Sequence, residues 1–257
     1  MLSIVIPSWR EGPRLLDAVS AARCCTGEAE FVVVAFEESA DVRDAARADG
    51  VIWIDAPRAC RGLQLRIGGE AARGRHLLFL HADSRLPIDA GRLVSDALAI
   101  PGVSGGAFHL RFDHAHPALD LLSWLSGMTL PVSFLGDQSL FCTRDAYDAA
   151  GGFRPEPLFE DVDLATRLAR VGRLVRLRQA VTTSARRFRG NGAIRQLATN
   201  ALLFAAYCAG AEPRCLSAIY QPRRAESPTD RVKDRHHDPR CPAHHSSKSQ
   251  RDNGELS

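Results

Sequence analysis

His76-Leu77-Leu78-Phe79-Leu80-His81-Ala82-Asp83-Ser84 is the stretch that decides the fold. Five residues, four of them apolar, precede His81, Ala82, Asp83 and Ser84. The uninterrupted run predicts a strand over 76–80 buried on both faces, the pattern of a parallel sheet covered by helices. Polar residues directly after such a strand fall where open parallel sheets bind ligands, beyond the carboxyl ends of their strands.

The same pattern repeats toward the N-terminus. Leu2–Pro7, Glu30–Phe36 and Val51–Ile54 read as buried strands. Between them, Gly12–Arg23 carries Leu15, Leu16, Val19 and Ala22 at helical spacing, and Asp41–Asp49 reads as a short helix. Arg58–Arg73 reads as a third helix, weakened by Gly62, Gly68 and Gly69. Strand and helix in alternation make an α/β fold.

Toward the C-terminus the pattern changes. Gly105–Phe112 alternates like a strand with one exposed face, and Gln138–Thr143 and Leu174–Thr182 read as further strands. Pro117–Gly127, Phe159–Arg170 and the strongly apolar Ile194–Cys208 read as helices. From Arg223 the chain is polar, with four His and Ser/Pro/Asp clusters, and is expected to be a disordered tail over 223–257. The division expected is a body over 1–222, with a first half to about residue 100 and a second half from about 101.

Composition narrows the function. Of 257 residues, 45% are apolar and 25% charged, ordinary globular values. The tail holds eight of the 33 basic residues and six of the 30 acidic ones, leaving 25 against 24 in the body. So balanced a body argues against nucleic acid as partner. Both lysines, Lys233 and Lys248, lie in the tail, so a phosphate contact from a body side chain falls to Arg or His. Seven cysteines without a Cys-x-x-Cys speak against a disulfide framework or a zinc ribbon and for reduced thiols in a cytoplasm. Met1–Pro7 runs straight into a strand and has no signal-peptide character.

Three groups of residues could do chemistry, and each has two readings. Asp83 can hold a divalent cation through oxygen, or cap a turn. Glu160-Asp161 at a helix start can supply a general base, or simply answer the helix dipole. Ser184-Ala185-Arg186-Arg187-Phe188-Arg189-Gly190 can fork onto a diphosphate, or form a solvated loop. Asp163 and Arg167, four apart, read as a surface ion pair.

In order along the chain, Ser-Ile-Val-Ile-Pro, Leu-Phe-Leu-His-Ala-Asp-Ser, Gly136-Asp137-Gln138, Gly151-Gly152-Phe153, Glu160-Asp161-Val162-Asp163-Leu164 and Thr182-Thr183-Ser184-Ala185-Arg186-Arg187 resemble the family-two glycosyltransferases. More narrowly, the chain resembles the bacterial radical-SAM/selenodomain-associated transferases, over Leu2 to about Tyr220. The resemblance implies a GT-A, Rossmann-like, mostly parallel sheet flanked by helices. It implies a nucleotide-sugar donor, a divalent metal (Mg or Mn) and inverting transfer to an acceptor hydroxyl. By motif position, Asp83 is the implied metal ligand, and Asp161, with Glu160 beside it, the implied base. Glu11, Arg61, Gln64, His81, Asp137, Gln138, Arg186 and Arg187 fall on the donor side.

One departure stands out. Ala35-Phe36-Glu37-Glu38-Ser39-Ala40-Asp41 replaces the family's Asp-x-Gly-Ser-x-Asp-Gly turn, and Arg10 replaces the usual Asn before Glu11. Glu37 or Glu38 is then the substitute for the lost nucleoside contact. The alternative this opens is a GT-A-shaped binding protein that has lost catalysis. A nucleotidyltransferase fits poorly, because no glycine-rich loop follows the first strand. Relatives with lipid-linked acceptors, and arginines just before the apolar helix 194–208, point to peripheral contact with the cytoplasmic membrane face; a helix packed on the body is the other reading.

Overall fold

The structure, a computed structural model, describes residues 1–128, 133, 134, 136–186, 188 and 192–220. Its strands are β1 (Leu2–Trp9), β2 (Ala29–Phe36), β3 (Ile52–Asp55), β4 (His76–Phe79), β5 (Ser84–Arg85), β6 (Val103–Phe112), β7 (Phe141–Thr143) and β8 (Arg173–Thr183). Its helices are α1 (Pro13–Thr26), α2 (Ala40–Ala48), α3 (Arg61–Ala71), α4 (Ala90–Leu98), α5 (Pro117–Leu125), α6 (Arg144–Ala149), α7 (Glu160–Val171), α8 (Ala193–Cys208) and α9 (Pro213–Ile219). A 3-10 turn spans Gly136–Gln138.

The eight strands form one sheet in the order β3-β2-β1-β4-β7-β6-β8-β5. The first four pair in parallel, as the apolar runs require. β6 and β8 also pair in parallel, while β7 runs antiparallel to both neighbours and β5 antiparallel to β8, so the sheet is mixed with most of its strands pointing one way. Alternate residues feed opposite faces. Ile4, Ile6, Val33 and Leu78 pack with α1, α2 and α4 on one side. Val5, Val32, Leu77 and Phe79 pack with α3, α6 and α7 on the other. Each such side chain removed from water contributes about 1.5–3 kcal/mol.

Two expectations are corrected here. β6 has no exposed face over its first six residues: Val103–Phe108 are all buried. It is an interior strand with α4, α5 and α7 packed on it, so its apparent alternation reflects glycines, not solvent. Gly105 and Gly106 leave room for the carbonyls of Phe141 and Val175. The glycines of α3 are likewise a packing device. A methyl on Gly62 would collide with the carbonyls of Arg154 and Glu156, one on Gly68 with Val5, and one on Gly69 with the Tyr147 hydroxyl. The helix pays about 1 kcal/mol per glycine in propensity and gains a flush seat on β1 and on the segment before α7.

α8 is neither fully buried nor free. Gln196 and Leu203 are buried, and Phe204 and Tyr207 lie against Phe159, at centroid distances of 5.8 and 4.7 Å. Its outer side is apolar and uncovered: Ile194 is 75% and Leu202 72% exposed, with Ala198 and Ala201 between and Ala205 beyond, all exposed. Among the described residues no helix is long and apolar enough to cross a membrane.

Candidate active site

The site begins where α7 begins. Phe159 adopts φ 60°, ψ 19°, a left-handed conformation costly for a bulky side chain, and the rings of Phe204 and Tyr207 hold it there. The first helical turn then carries Glu160 and Asp161, 0% and 4% exposed. The helix dipole favours acids at this position, but a dipole alone does not require burial of both. Arg61, the first residue of α3, ion-pairs with Glu160 and stands 4.0 Å from Asp161 Oδ2. The flush seat of Gly62, whose N–H donates to the Glu156 carbonyl at 3.2 Å, is what brings Arg61 there.

Two acids share one cation, so the balance is uneven. Burial, and then the neighbouring Glu160, raise the Asp161 pKa well above the ordinary carboxylate range, with Arg61 opposing. Burial alone would lower the Arg61 pKa, but Glu160 and Asp161 outweigh it and hold the guanidinium firmly charged. One oxygen of each carboxylate, Glu160 Oε2 and Asp161 Oδ2, is buried without a hydrogen bond. Orphaned buried acceptors of this kind cost stability and mark places where a ligand completes the bonding.

The carboxyl end of β4 closes the other side. His81 is buried, with Nδ1 3.3 Å from Asp137 Oδ1 in the 3-10 turn. Burial and Arg61 lower the His81 pKa, against the pull of Asp137, Asp83 and Glu160. Arg61, His81, Asp83, Asp137, Glu160 and Asp161 thus form one electrostatic cluster. Ser84, next to Asp83, pairs with Thr183 at the end of β8, their hydroxyls 3.2 Å apart, and this seam carries Arg186 to the same end of the sheet. Arg186 lies 3.8 Å from Glu11. Arg187 and Arg189, and the tail 223–257, lie outside the described residues.

The remaining named residues are engaged elsewhere. Gln64 is buried and donates its amide hydrogens to the carbonyls of Ser8 (2.7 Å) and Val34 (2.9 Å), tying β1 to β2. Gln138 donates to the Ser133 carbonyl at 2.9 Å and accepts from Arg176. Glu37 accepts from Trp9 Nε1 (3.2 Å) and Arg10 (2.8 Å). Asp163 and Arg167 are not a surface pair: they are 19% and 12% exposed, and Arg167 also donates to the carbonyls of Ala150 and Gly152, anchoring α7 to the Gly151-Gly152 turn. Sequence reading missed Arg176, whose position inside a charged strand gave no signal. It left Glu38 as an alternative to Glu37, although the structure gives Glu38 a separate task. Its carboxylate accepts from Ser8 Oγ (2.7 Å) and from the backbone N–H of Glu11 (2.7 Å) and Gly12 (2.9 Å).

A divalent cation fits this donor set in one way only. Among the described residues no group of three or more His, Cys, Asp or Glu could enclose a metal. A hard cation that shares a ligand's phosphates needs only one or two carboxylates from the protein, and Asp83, at the end of β4 within the charge cluster of His81, is of the right chemistry for one of them.

No protein-family model and no curated protein sequence matches the chain. Solved structures do. The mannosyltransferase PcManGT from Pyrobaculum calidifontis, in complex with GDP-Man and Mn2+, aligns over 87% of this chain and 65% of its own, at 16% identity and TM-score 0.62. TarS of S. aureus aligns over 85% and 42% at 11% identity and TM-score 0.57. Its 1–349 fragment with UDP-GlcNAc aligns over 71% and 58% at 10% identity and TM-score 0.56. The chain spans less than two thirds of each of these proteins. The architecture is that of a GT-A-like glycosyltransferase fold, an eight-stranded mixed sheet flanked by helices.

Proposed function

We propose that this protein is an inverting glycosyltransferase that moves a sugar from a nucleotide-diphospho-sugar to an acceptor hydroxyl, of the kind found in the radical-SAM/selenodomain-associated subgroup. The observation that carries the reading is the buried Glu160-Asp161 pair, each with an oxygen lacking a hydrogen bond, beside Arg61 and the end of β4. The GT-A-like fold adds support.

In this mechanism Asp161 takes the proton of the acceptor hydroxyl as that oxygen attacks the anomeric carbon. Glu160 raises the proton affinity of Asp161 toward the useful range, and Arg61 keeps the pair from carrying two uncompensated charges. Attack on the face opposite the leaving diphosphate inverts the anomeric centre. Asp83 is the residue that would hold a magnesium or manganese ion, with Asp137 and His81 beside it on the donor side. Such an ion supplies charge neutralisation to the departing diphosphate. Arg186 and Arg187 add guanidinium contacts to the same phosphates. Glu11, Glu37, Gln64 and Gln138 shape the donor side, Gln64 and Gln138 by fixing backbone rather than by touching the sugar. The protein acts in the cytoplasm, and the bare apolar side of α8 rests on the inner membrane face near a lipid-linked acceptor.

A second reading, a binding protein without transfer, draws on the 35–41 turn: Glu38 is consumed by backbone N–H groups and Glu37 by Arg10. Calorimetry with GDP and UDP, with and without manganese, tests the first part of both. Manganese-dependent binding that disappears in Asp83→Asn, with the fold intact, is the expected result. Binding that ignores manganese and the substitution overturns the metal role, and transfer assays with GDP- and UDP-sugars then separate enzyme from binder.

A further inference from the structure

A concave site lies on the β6–β8 surface, apart from the candidate active site. A groove of about 440 Å³ is lined by His109, Gly127, Arg176, Leu177 and Arg178. None of these residues is acidic, and none belongs to the cluster around Arg61 and Asp161. Two features show how the chain builds it.

The first is a bulge. Phe108 pairs with Leu177, but the next residue of β6, His109, pairs with Ala180. β8 therefore advances three residues where β6 advances one, and Arg178 and Gln179 loop out of the ladder. Bulges re-aim side chains and recur beside binding sites. The side chain presented here, Arg178, is exposed and has no hydrogen-bond or ion-pair partner among the described residues.

The second is an uncompensated charge. Arg176 donates to the carbonyls of Phe108 (3.2 Å) and Met128 (2.9 Å), to Ser133 Oγ (3.2 Å) and to the Gln138 side chain, and its guanidinium lies 4.1 Å from the Phe134 ring centroid. Every one of these partners is neutral. Its Nε is buried and has no hydrogen bond. Burial pushes the guanidinium down to about 10, with no carboxylate acting the other way. Burial, Arg176 and Arg111 lower the His109 pKa as well, so the surroundings are positive throughout. A half-buried cation whose Nε is fully buried and which is held only by dipoles is costly unless an anion completes it.

We propose that this groove is an anion site that binds a phosphate group, with Arg178 as the direct contact and Arg176 as the fixed charge behind it. On the transferase reading, on which this assignment rests, the phosphate belongs to the acceptor. Gln138 links the two places, because its side chain is held by Arg176 while the adjacent Asp137 faces His81. The rim beside Gly127 is apolar, with Trp124 71% and Met128 41% exposed. Either a soluble phosphate ester or a lipid headgroup supplies the required chemistry.

The test uses the full chain and two probes. sn-Glycerol 3-phosphate is titrated calorimetrically, and flotation is scored with phosphatidylcholine vesicles with and without phosphatidic acid. Saturable binding of either probe, weakened about ten-fold or more in Arg178→Ala and retained in Arg178→Lys, is the expected result, since hydrogen bonds between charged groups are worth that much. Binding of glycerol phosphate identifies a soluble ester as sufficient; flotation alone, and only with phosphatidic acid, identifies the headgroup. If neither probe binds, or Arg178→Ala binds like the wild type, the assignment is wrong. GDP or UDP affinity, measured on the same variants, separates its failure from failure of the donor site: an anion site leaves it unchanged, and a global fold defect does not.

Discussion

Two acidic pairs sit at chain turns, Glu37-Glu38 after β2 and Glu160-Asp161 at the head of α7, and their surroundings differ in kind. Glu38 receives three hydrogen bonds, and Glu37 is tied to Trp9 and Arg10 at a largely exposed edge. Glu160 and Asp161 are buried, share one arginine and leave an oxygen of each unbonded. The first pair is spent on holding the backbone around Glu11 and Gly12. The second is held at a cost and is free to act. Adjacent carboxylates in a sequence therefore say little until their hydrogen bonds are counted.

Asp161→Asn should break the contrast most deeply. Transfer should fall about 10²–10⁴-fold, the worth of a general base, while GDP or UDP affinity stays within error. Stability should move the other way. Because the folded-state pKa of Asp161 is raised, its favourable contribution is complete below the ordinary Asp pKa and is lost as pH rises through the folded value. The Asn variant should thus melt at or above the wild type at neutral pH, with the advantage shrinking in acid. The same shift makes wild-type transfer rise with pH through a value above the ordinary carboxylate range. A rate that is flat down to that range, or an Asn variant that melts lower, returns Asp161 to a helix-start role.

Glu38→Ala tests the other pair. It leaves two backbone N–H groups without their acceptor, and should cost about 2–3 kcal/mol, a fall of roughly 5–10 °C in Tm. Thermal melts that do not change would show that water replaces the carboxylate without loss. Glu37→Gln is the small member of the series. Its pair with Arg10 is 44–56% exposed, so the loss should be under about 0.5 kcal/mol and vanish in high salt. A larger loss would mean that this turn is as constrained as α7.

The parallel half of the fold is readable because β1, β2 and β4 each hold an apolar run, Ile4–Ile6, Phe31–Phe36 and Leu77–Phe79, flanked by periodic helices. β5 and β7, with two and three residues, are too short to show any period, and they are the strands that turn the sheet from parallel to mixed. α4 is not among the helices expected from the sequence, although Ala90, Val94, Ala97 and Leu98 keep helical spacing. α3 reads as weak in the sequence because propensity counts the cost of glycine and not the contact it permits. At the site, His81, Asp83, Asp137, Glu160, Asp161 and Arg61 could each be named from the sequence, and the structure groups them. That Arg61 faces Glu160 across 99 residues of chain could not be read, because nothing local encodes it. Gln64 and Glu38 show the converse: polar side chains beside the site whose partners are main-chain groups.

The seam between β5 and β8 has a consequence for how the molecule comes into being. Ser84 meets Thr183 across 99 residues, and Arg61 meets Glu160 across the same interval, so both closures bring together segments far apart in sequence. Such long-range pairings are entropically late events in folding. The parallel strands β1 to β4 can pair soon after synthesis, yet the cluster at their ends stays unassembled until the chain through Thr183 has emerged. A nascent or truncated chain could hold half a sheet and still carry no site, which ties the appearance of chemistry to completion of the fold.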